Sequence, residues 1–382
     1  MFVGRDLFGG AFVHDPFELY RAGVLTNPNL LVLGQIGRGK SALVKSYLYR
    51  HAAFGRRVVV FDPKGEYASF ARALGSEPIA LAPGGSTVLN PLGLALLPTD
   101  SSGSLRRHRL GALRGIAAAS VRRDLRPHEH AALEIALDAA VRGAVVTIPD
   151  VVEALLWPET AAARAIAERT EVLREYGREI AFELRRLVSG ELAGMFDGAT
   201  SPSVDLEGRV VVLDLSAVYR SDALGLVIAC ARGAIELALH RPGVGQTLLV
   251  VDEAWAVLDN PGAAGFLRSS FKLARAFGVA NLAVIHRISD LAGSGDAGTA
   301  SRAIAEGLLA DCETVICYAQ ASSELATTRE TLGLGEEETR LVGGLRRGVA
   351  LWRVGTRSFV VEHRLAPDEL GFVDTDAALL RG

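Results

Sequence analysis

The sequence predicts an α/β protein with a mostly parallel sheet, an inserted all-helical subdomain and a C-terminal β-hairpin. Short apolar runs, rich in Leu and β-branched residues, alternate with helical patterns along much of the chain. Strands that alternate with helices usually join a parallel sheet, and strands buried on both faces carry few charges. The runs occupy residues 30–33, 58–61, 210–213, 248–251, 282–285 and 314–317.

One central segment breaks this alternation. Residues 100–204 carry Ala-, Arg- and Glu-rich helical patterns with scarcely a strand signal, and a Thr-Ser-Pro-Ser-Val break closes them. We therefore expect two units, an α/β core at 1–99 and 205–382 and an all-α insertion subdomain at 100–204. Residues 349–354 and 358–362 flank Gly-Thr and predict a β-hairpin at the edge of the sheet.

The composition indicates a globular protein. Of 382 residues, 49% are hydrophobic and 22% charged, which is enough apolar surface for a large core. The net charge of −3 provides no overall attraction to nucleic acid, so DNA contact would need a local basic patch. Cys230, Cys312 and Cys317 lack metal-ligand spacing, and we expect buried thiols in a reducing compartment.

No segment reads as membrane-spanning. The N-terminus carries Arg5 and Asp6 where a signal peptide would need an apolar run. The most apolar stretch is interrupted by Arg232 and Glu236, and it falls short of the roughly 18 uncharged residues of a spanning helix. We expect a cytoplasmic protein, and a peripheral position on the inner face of the cell membrane stays open.

Residues 34–41, Gly-Gln-Ile-Gly-Arg-Gly-Lys-Ser, match the phosphate-binding pattern G-x-x-x-x-G-K-[S/T]. The match follows an apolar strand and opens a helix, where backbone N–H groups and the helix N-terminus favour phosphate. We expect Lys40 to bridge the β- and γ-phosphates of ATP and Ser41 to bind Mg²⁺. The expected nucleotide contacts are Gly34, Gly37, Arg38, Gly39, Lys40, Ser41 and Ala42.

A pair of carboxylates ends the apolar run at 247–251. Asp252 is placed to hold Mg²⁺ through water, and Glu253 is placed to polarise an attacking water as general base. Such a base argues against a small-molecule kinase or a slow GTPase-type switch. The sequence therefore favours ATP hydrolysis.

Three further positions are expected near the nucleotide. The turn at 62–67, Asp-Pro-Lys-Gly-Glu-Tyr, places Asp62, Lys64 and Glu66 at the carboxyl end of a strand, where parallel sheets bind ligands. His286 ends another inner strand and is a candidate γ-phosphate or water contact, with an ordinary hydrogen-bonded histidine as the alternative. Arg275 is a candidate arginine finger supplied to a neighbouring subunit.

These motifs together resemble those of the conjugative type IV secretion ATPases of the TraC/TrbE (VirB-four) type, in the HerA–FtsK branch of RecA-like motors. The resemblance rests on the 62–67 turn, Leu-Asn-Pro-Leu at 89–92, Asp-Glu-Ala-Trp at 252–255, the strand ending at His286 and the tail from 332 to 340. It implies a RecA-like core with an all-α subdomain and a homo-hexamer. It also implies ATP hydrolysis coupled to substrate transfer or apparatus assembly, with secretion components or a coupling protein as partners.

The resemblance also assigns roles to residues. It implies Lys40 and Ser41 as phosphate and magnesium contacts, Asp252 and Glu253 as the acidic pair, and Arg275 as the arginine acting in trans. Many relatives carry Gln where this chain has His286. The family's N-terminal docking domain is largely missing, so we expect either a motor-only segment or a reduced member.

Two other functions stay open at the level of sequence. The first is a DNA-pumping translocase of the HerA–FtsK type, in which double-stranded DNA would stimulate ATP hydrolysis. The second is a nucleotide-gated coupling or assembly protein that binds ATP with little turnover.

Overall fold

A computed structural model describes most of the chain. The described residues are 1–93, 102–141, 145–219, 221–239, 245–258, 260, 264, 268, 271–272, 274, 278–289, 307 and 309–373.

The strands of this part of the chain join in one mixed sheet of eleven strands. They are β1 (Phe2–Asp6), β2 (Ala11–Val13), β3 (Leu30–Leu33), β4 (Arg57–Asp62), β5 (Ile79–Ala80), β6 (Val210–Asp214), β7 (Thr247–Val251), β8 (Val279–Ile285), β9 (Thr314–Cys317), β10 (Val349–Val354) and β11 (Arg357–His363). Their order across the sheet is β2-β1-β11-β10-β9-β3-β8-β7-β4-β6-β5.

Helices cover both faces of the sheet. They are α1 (Pro16–Arg21), α2 (Lys40–Ala53), α3 (Ala68–Ala73), α4 (Ser102–Val121), α5 (Pro127–Ala140), α6 (Ile148–Leu156), α7 (Thr160–Ala165), α8 (Thr170–Val188), α9 (Leu224–Leu239), α10 (Trp255–Leu258), α11 (Leu325–Leu332), α12 (Glu336–Gly344) and α13 (Leu370–Val373). None of these helices is long and apolar enough to cross a membrane.

The predicted parallel sheet is confirmed. Neighbouring strands from β9 to β5 are all parallel, and β3 lies between β8 and β9. Strand β8 begins three residues before the predicted run. The polar residue Asn281 interrupts the apolar pattern there, although it is buried in the structure. Its backbone N–H and its Nδ2 both donate to Oδ1 of Asn29, at 3.2 and 3.0 Å.

The prediction that the C-terminal hairpin lies at the sheet edge is wrong. Strands β10 and β11 form the hairpin, but β11 pairs on its other side with β1, and β2 is the outermost strand. The sequence pattern missed β1 because Arg5, Asp6 and Gly4 dilute its apolar residues. Gly4 lies so close to β11 that a Cβ there would be 2.0 Å from the Glu362 carbonyl oxygen.

The described part of the central segment contains helices α4 to α8 between residues 102 and 188, and residues 189–204 form turns and irregular backbone. The chain just before this segment runs beside the end of the segment, because the Leu89 N–H donates to the Met195 carbonyl at 2.8 Å and the Ser201 N–H to the Val88 carbonyl at 2.9 Å. The helices share one apolar core with the adjacent sheet face. The division into a core and an insertion at 100–204 stays a prediction.

Alternate residues of each inner strand enter two separate cores. In β3, Leu31 and Leu33 pack on the side of α4 to α9, while Leu30 and Val32 pack on the side of α2 and α3. This alternation follows from the two-residue period of a strand. The three cysteines are buried and free of disulfides, as predicted.

Candidate nucleotide-binding site

The predicted phosphate loop connects β3 to α2, the geometry that the motif requires. Gly34, Gly37 and Gly39 have φ values of +149°, +77° and +107°, and such backbone conformations favour glycine. A Cβ at Gly34 would lie 2.4 Å from Cβ of Tyr318, which follows β9. The glycines therefore let the loop turn tightly against the neighbouring strand.

Two backbone contacts hold this loop in place. The Gln35 N–H donates to the Ala319 carbonyl at 3.0 Å, and the Gly348 N–H donates to the Arg38 carbonyl at 2.9 Å. The Arg38 guanidinium also donates to Oε1 of Gln35, at 3.0 Å. The loop is thus fastened to the end of β9 and to the segment that leads into β10.

Lys40, the first residue of α2, is buried within the loop. Its ammonium group donates to the Gly34 carbonyl and, at 3.0 Å, to the Gln35 carbonyl. Ser41 and Ala42 follow in the first turn of α2. The helix thus begins with the lysine and the hydroxyl residue of the motif.

Asp252 directly follows β7 and is buried near two other acids. Burial raises the pKa of Asp252 to about 6, and the charges of Glu253 and Asp62 add to the rise. Among the described residues, no group of three or more His, Cys, Asp or Glu could hold a metal by itself. Asp252 as a single carboxylate fits Mg²⁺, because one or two carboxylates and the oxygens of a substrate phosphate usually hold that ion.

Glu253 is surrounded by hydrogen-bond donors. Its Oε1 accepts from Lys64 and, at 2.7 Å, from Nε2 of His286, while its Oε2 accepts from the Trp255 indole N–H. Burial alone would raise the pKa of Glu253, but the bonds from His286 and Lys64 outweigh it and lower the pKa to about 2. In this arrangement the carboxylate is a weak proton acceptor.

Of the three predicted residues in the 62–67 turn, Lys64 is the one that lines the cleft. Asp62 is buried and holds the turn together, because its carboxylate accepts the N–H groups of Glu66 and Tyr67 at 3.1 and 2.8 Å. Burial opposes the charge of Lys64, but the bond to Glu253 raises the pKa of Lys64 above its usual value.

These groups surround one cleft of about 960 Å³ at the carboxyl ends of the parallel strands. Phosphate-loop residues from Gln35 to Arg38 form one wall, and Lys64, Glu253 and His286 lie in the same cleft. The structure thus brings together part of the loop, Glu253 and the end of β8, whereas the described residues that line the cleft do not include Lys40, Ser41 or Asp252. Arg275 lies outside the described residues.

Sequence reasoning missed several lining residues, namely Tyr219, Gln320, Glu324 and Arg347. Gln320 is 4% exposed, and its amide nitrogen faces the Tyr318 carbonyl, which leaves Oε1 without a hydrogen-bond partner in the described part of the chain. The sequence could have indicated Gln320, because it lies just beyond the apolar run of β9, and β9 lies beside β3, the strand that leads into the phosphate loop. Arg347 carried no comparable signal, since a loop far along the chain brings it to the site.

Comparisons with known proteins show a family and similar folds. A family described as an AAA-like domain matches residues 21–216. The structure of VirB4 of Thermoanaerobacter pseudethanolicus is 25% identical, with coverage of 97% of this chain and 98% of that chain and a TM-score of 0.74. A comparison with curated proteins gave no match.

Structures of the plasmid coupling protein TrwB are similar in fold. Its unbound form, TrwBdeltaN70, is 15% identical over 88% of this chain and 85% of that chain, with a TM-score of 0.60. TrwB in complex with ADP and Mg²⁺ is 16% identical over 88% and 86%, with a TM-score of 0.61.

Proposed function

The chain belongs to the AAA-like domain family, and from this we propose that it is an ATP-hydrolysing motor of a type IV secretion system. The observation that carries the proposal is Glu253, which stands beside Asp252 and faces the cleft that the phosphate loop forms. A nucleotide-binding protein without turnover would not need a carboxylate there. The match to VirB4 over nearly the whole of both chains supports the secretion system as the setting.

Each part of the site has a separate task. The loop N–H groups and Lys40 bind the β- and γ-phosphates of ATP, and Ser41 and Asp252 hold Mg²⁺. When bound, Mg²⁺ neutralises charge that develops on the phosphate oxygens. Glu253 orients and polarises the attacking water, and His286, whose Nε2 donates to Oε1 of Glu253 at 2.7 Å, helps to position that carboxylate.

The assembly is part of the same proposal. We expect a homo-hexamer in which Arg275 of one subunit reaches the nucleotide of the next. The partners would be secretion components or a coupling protein at the inner face of the membrane, with DNA as a further candidate partner.

Replacement of Glu253 by Gln tests hydrolysis directly. We expect ATP turnover to fall by about 100-fold or more, because a positioned general base typically contributes that much, while ATP binding persists. Steady-state phosphate release and equilibrium titration with ATP in the presence of Mg²⁺ measure the two quantities. Lys40→Ala should instead weaken ATP binding itself.

Glu337→Gln is the matched control, because Glu337 is 77% exposed and pairs with a surface arginine. It should turn over ATP as the wild type does. If wild-type protein binds ATP but releases no phosphate at any protein concentration, the motor proposal fails and the nucleotide-gated assembly protein replaces it.

A further inference from the structure

Lys64 and Glu253 form an ion pair in the middle of the candidate site. The Glu253 side chain is 3% exposed, and that of Lys64 is 26% exposed toward the cleft. The ammonium group also lies 5.9 Å from the centre of the Tyr219 ring. A cation of the cleft is thus paired with the residue that the proposed function assigns to base catalysis.

The pair leaves Glu253 little capacity to accept a proton. Its Oε1 is shared between Lys64 and His286, and its Oε2 accepts from Trp255. The three donors occupy three of the roughly four lone-pair sites of the carboxylate, and they make it a weaker base toward water. Release of one donor would give the attacking water a second site and a stronger base.

Of the three donors, Lys64 is the one that can leave with least disturbance. Its backbone sits in the turn that the Asp62 carboxylate holds, so the base of the side chain is fixed. Its long, flexible side chain is partly exposed to the cleft that the phosphate loop also lines. An ammonium group is a point charge that exchanges one oxygen anion for another without strict orientation.

The terminal phosphate of ATP is such an anion, and it carries more negative charge than one carboxylate. ADP lacks it. We propose that Lys64 is a positioning residue that restrains Glu253 in the nucleotide-free protein and transfers to the γ-phosphate when ATP binds, which frees the carboxylate for the attacking water. This inference rests on the proposed function and adds a reason why base activation would depend on the triphosphate.

Relative affinities for a triphosphate and a diphosphate test the transfer. In Lys64→Met we expect the affinity for the β,γ-imido analogue of ATP to fall about tenfold or more, since charge-assisted bonds to phosphate are strong, while affinity for ADP stays within about twofold. Lys272→Met, which removes an exposed lysine elsewhere, is the matched control and should change neither affinity. An equal loss for both nucleotides would overturn the proposal.

A double-mutant cycle tests whether Glu253 and the phosphate compete for Lys64. Glu253→Gln removes one competitor, so affinity for the imido analogue should rise about fivefold relative to ADP. The gain should vanish in Lys64→Met/Glu253→Gln. A gain that persists in the double variant, or no gain at all, contradicts the transfer.

The wild-type protein offers a third readout that needs no change at Lys64. Because the Trp255 indole donates to Glu253, release of that carboxylate should alter Trp255 fluorescence. The imido analogue with Mg²⁺ should change the emission and ADP should not, with Trp255→Phe as the blank. An identical response to both nucleotides is evidence against the transfer, even if a Lys64 variant does not fold.

Failure of this inference is distinguishable from failure of the proposed function. ATP turnover by the wild type together with triphosphate-independent fluorescence would remove only the role of Lys64. Triphosphate-dependent fluorescence without turnover would remove only hydrolysis.

Discussion

Glu253 has a backbone conformation that is rare for its residue type. Its φ is +52°, a left-handed value that costs about 1 kcal/mol or more for a residue other than glycine. Backbone hydrogen bonds of the residues on either side of Glu253 offset this cost. The Asp252 N–H donates to the Phe61 carbonyl of β4, and two residues later the Ala254 N–H donates to the Val284 carbonyl of β8 at 3.0 Å. The chain thus crosses the end of β7 and leaves Glu253 in the lining of the cleft, next to the buried Asp252.

Gly34 is the glycine of the loop that tolerates a side chain least. In Gly34→Ala, the added methyl group would overlap Tyr318 as well as strain the backbone, so the free energy of unfolding should fall by about 3 kcal/mol. Gly37→Ala is the matched control, because its φ is also positive but nothing lies within 4 Å of its Cβ. It should lose only about 1 kcal/mol.

Urea denaturation without nucleotide measures both changes. A loss at Gly34 no larger than that at Gly37 would show that the loop yields to the methyl group, and that the contact with Tyr318 does not set the need for glycine.

At the level of elements, contacts with the C-terminal segment hold α2, the helix that follows the phosphate loop, in position. Glu369 is 1% exposed and accepts two bonds of 2.6 Å from Arg50 of α2, and one of 3.0 Å from the Ser46 hydroxyl. Phe372 of α13 adds apolar contact in the same core. The position of α2, and with it that of Lys40, therefore depends on residues more than 300 positions away in the chain.

Arg50→Ala should destabilise the protein by about 3 kcal/mol, because it leaves a buried carboxylate without its cation. Arg340→Ala is the comparison, since Arg340 and Glu337 are both 77% exposed and such surface pairs contribute about 0.5 kcal/mol or less. Thermal unfolding followed by circular dichroism distinguishes them. Equal melting temperatures of the two variants would mean that Glu369 finds other partners.

At the scale of the whole molecule, a buried histidine joins the N-terminal hairpin to both the loop helix and the sheet. His14 follows β2, and its ring nitrogens lie 2.9 Å from the Tyr47 hydroxyl of α2 and 3.2 Å from the Thr314 hydroxyl of β9. Burial lowers the pKa of His14 to about 3, against the opposing charge of Asp15. The histidine is therefore neutral in the folded protein near neutral pH.

The folding free energy should depend on pH through His14. The unfolded chain binds a proton at His14 near pH 6.5 and the folded protein only near pH 3, so acid favours unfolding between these values. Asp62 and Asp252 act in the opposite sense, because their pKa values are raised to about 6. A comparison with His14→Gln isolates the histidine.

In urea denaturation between pH 6 and pH 4, the wild type should lose about 1.4 kcal/mol more per pH unit than His14→Gln. Parallel pH profiles would mean that the ring becomes protonated inside the folded protein.

Local patterns sufficed for much of this architecture. The bounds of β3 and β9 agree with the predicted runs, and α2 begins at the lysine of the phosphate motif. Strands buried on both faces and a glycine-rich loop leave short-range signals that owe little to distant residues. The AAA-like family and the parallel α/β fold follow from such signals.

Long-range contacts decided the rest. Because β1 pairs with β11, the C-terminal hairpin lies inside the sheet and not at its edge. The ends of β4, β7 and β8 are neighbours, and they place Lys64, Glu253 and His286 within hydrogen-bond distance. Spacing along the chain contains no such distance, because strand order is set by how apolar faces pack. The phosphate motif could therefore be recognised in the sequence, whereas the ion pair between Lys64 and Glu253 exists only in the folded protein.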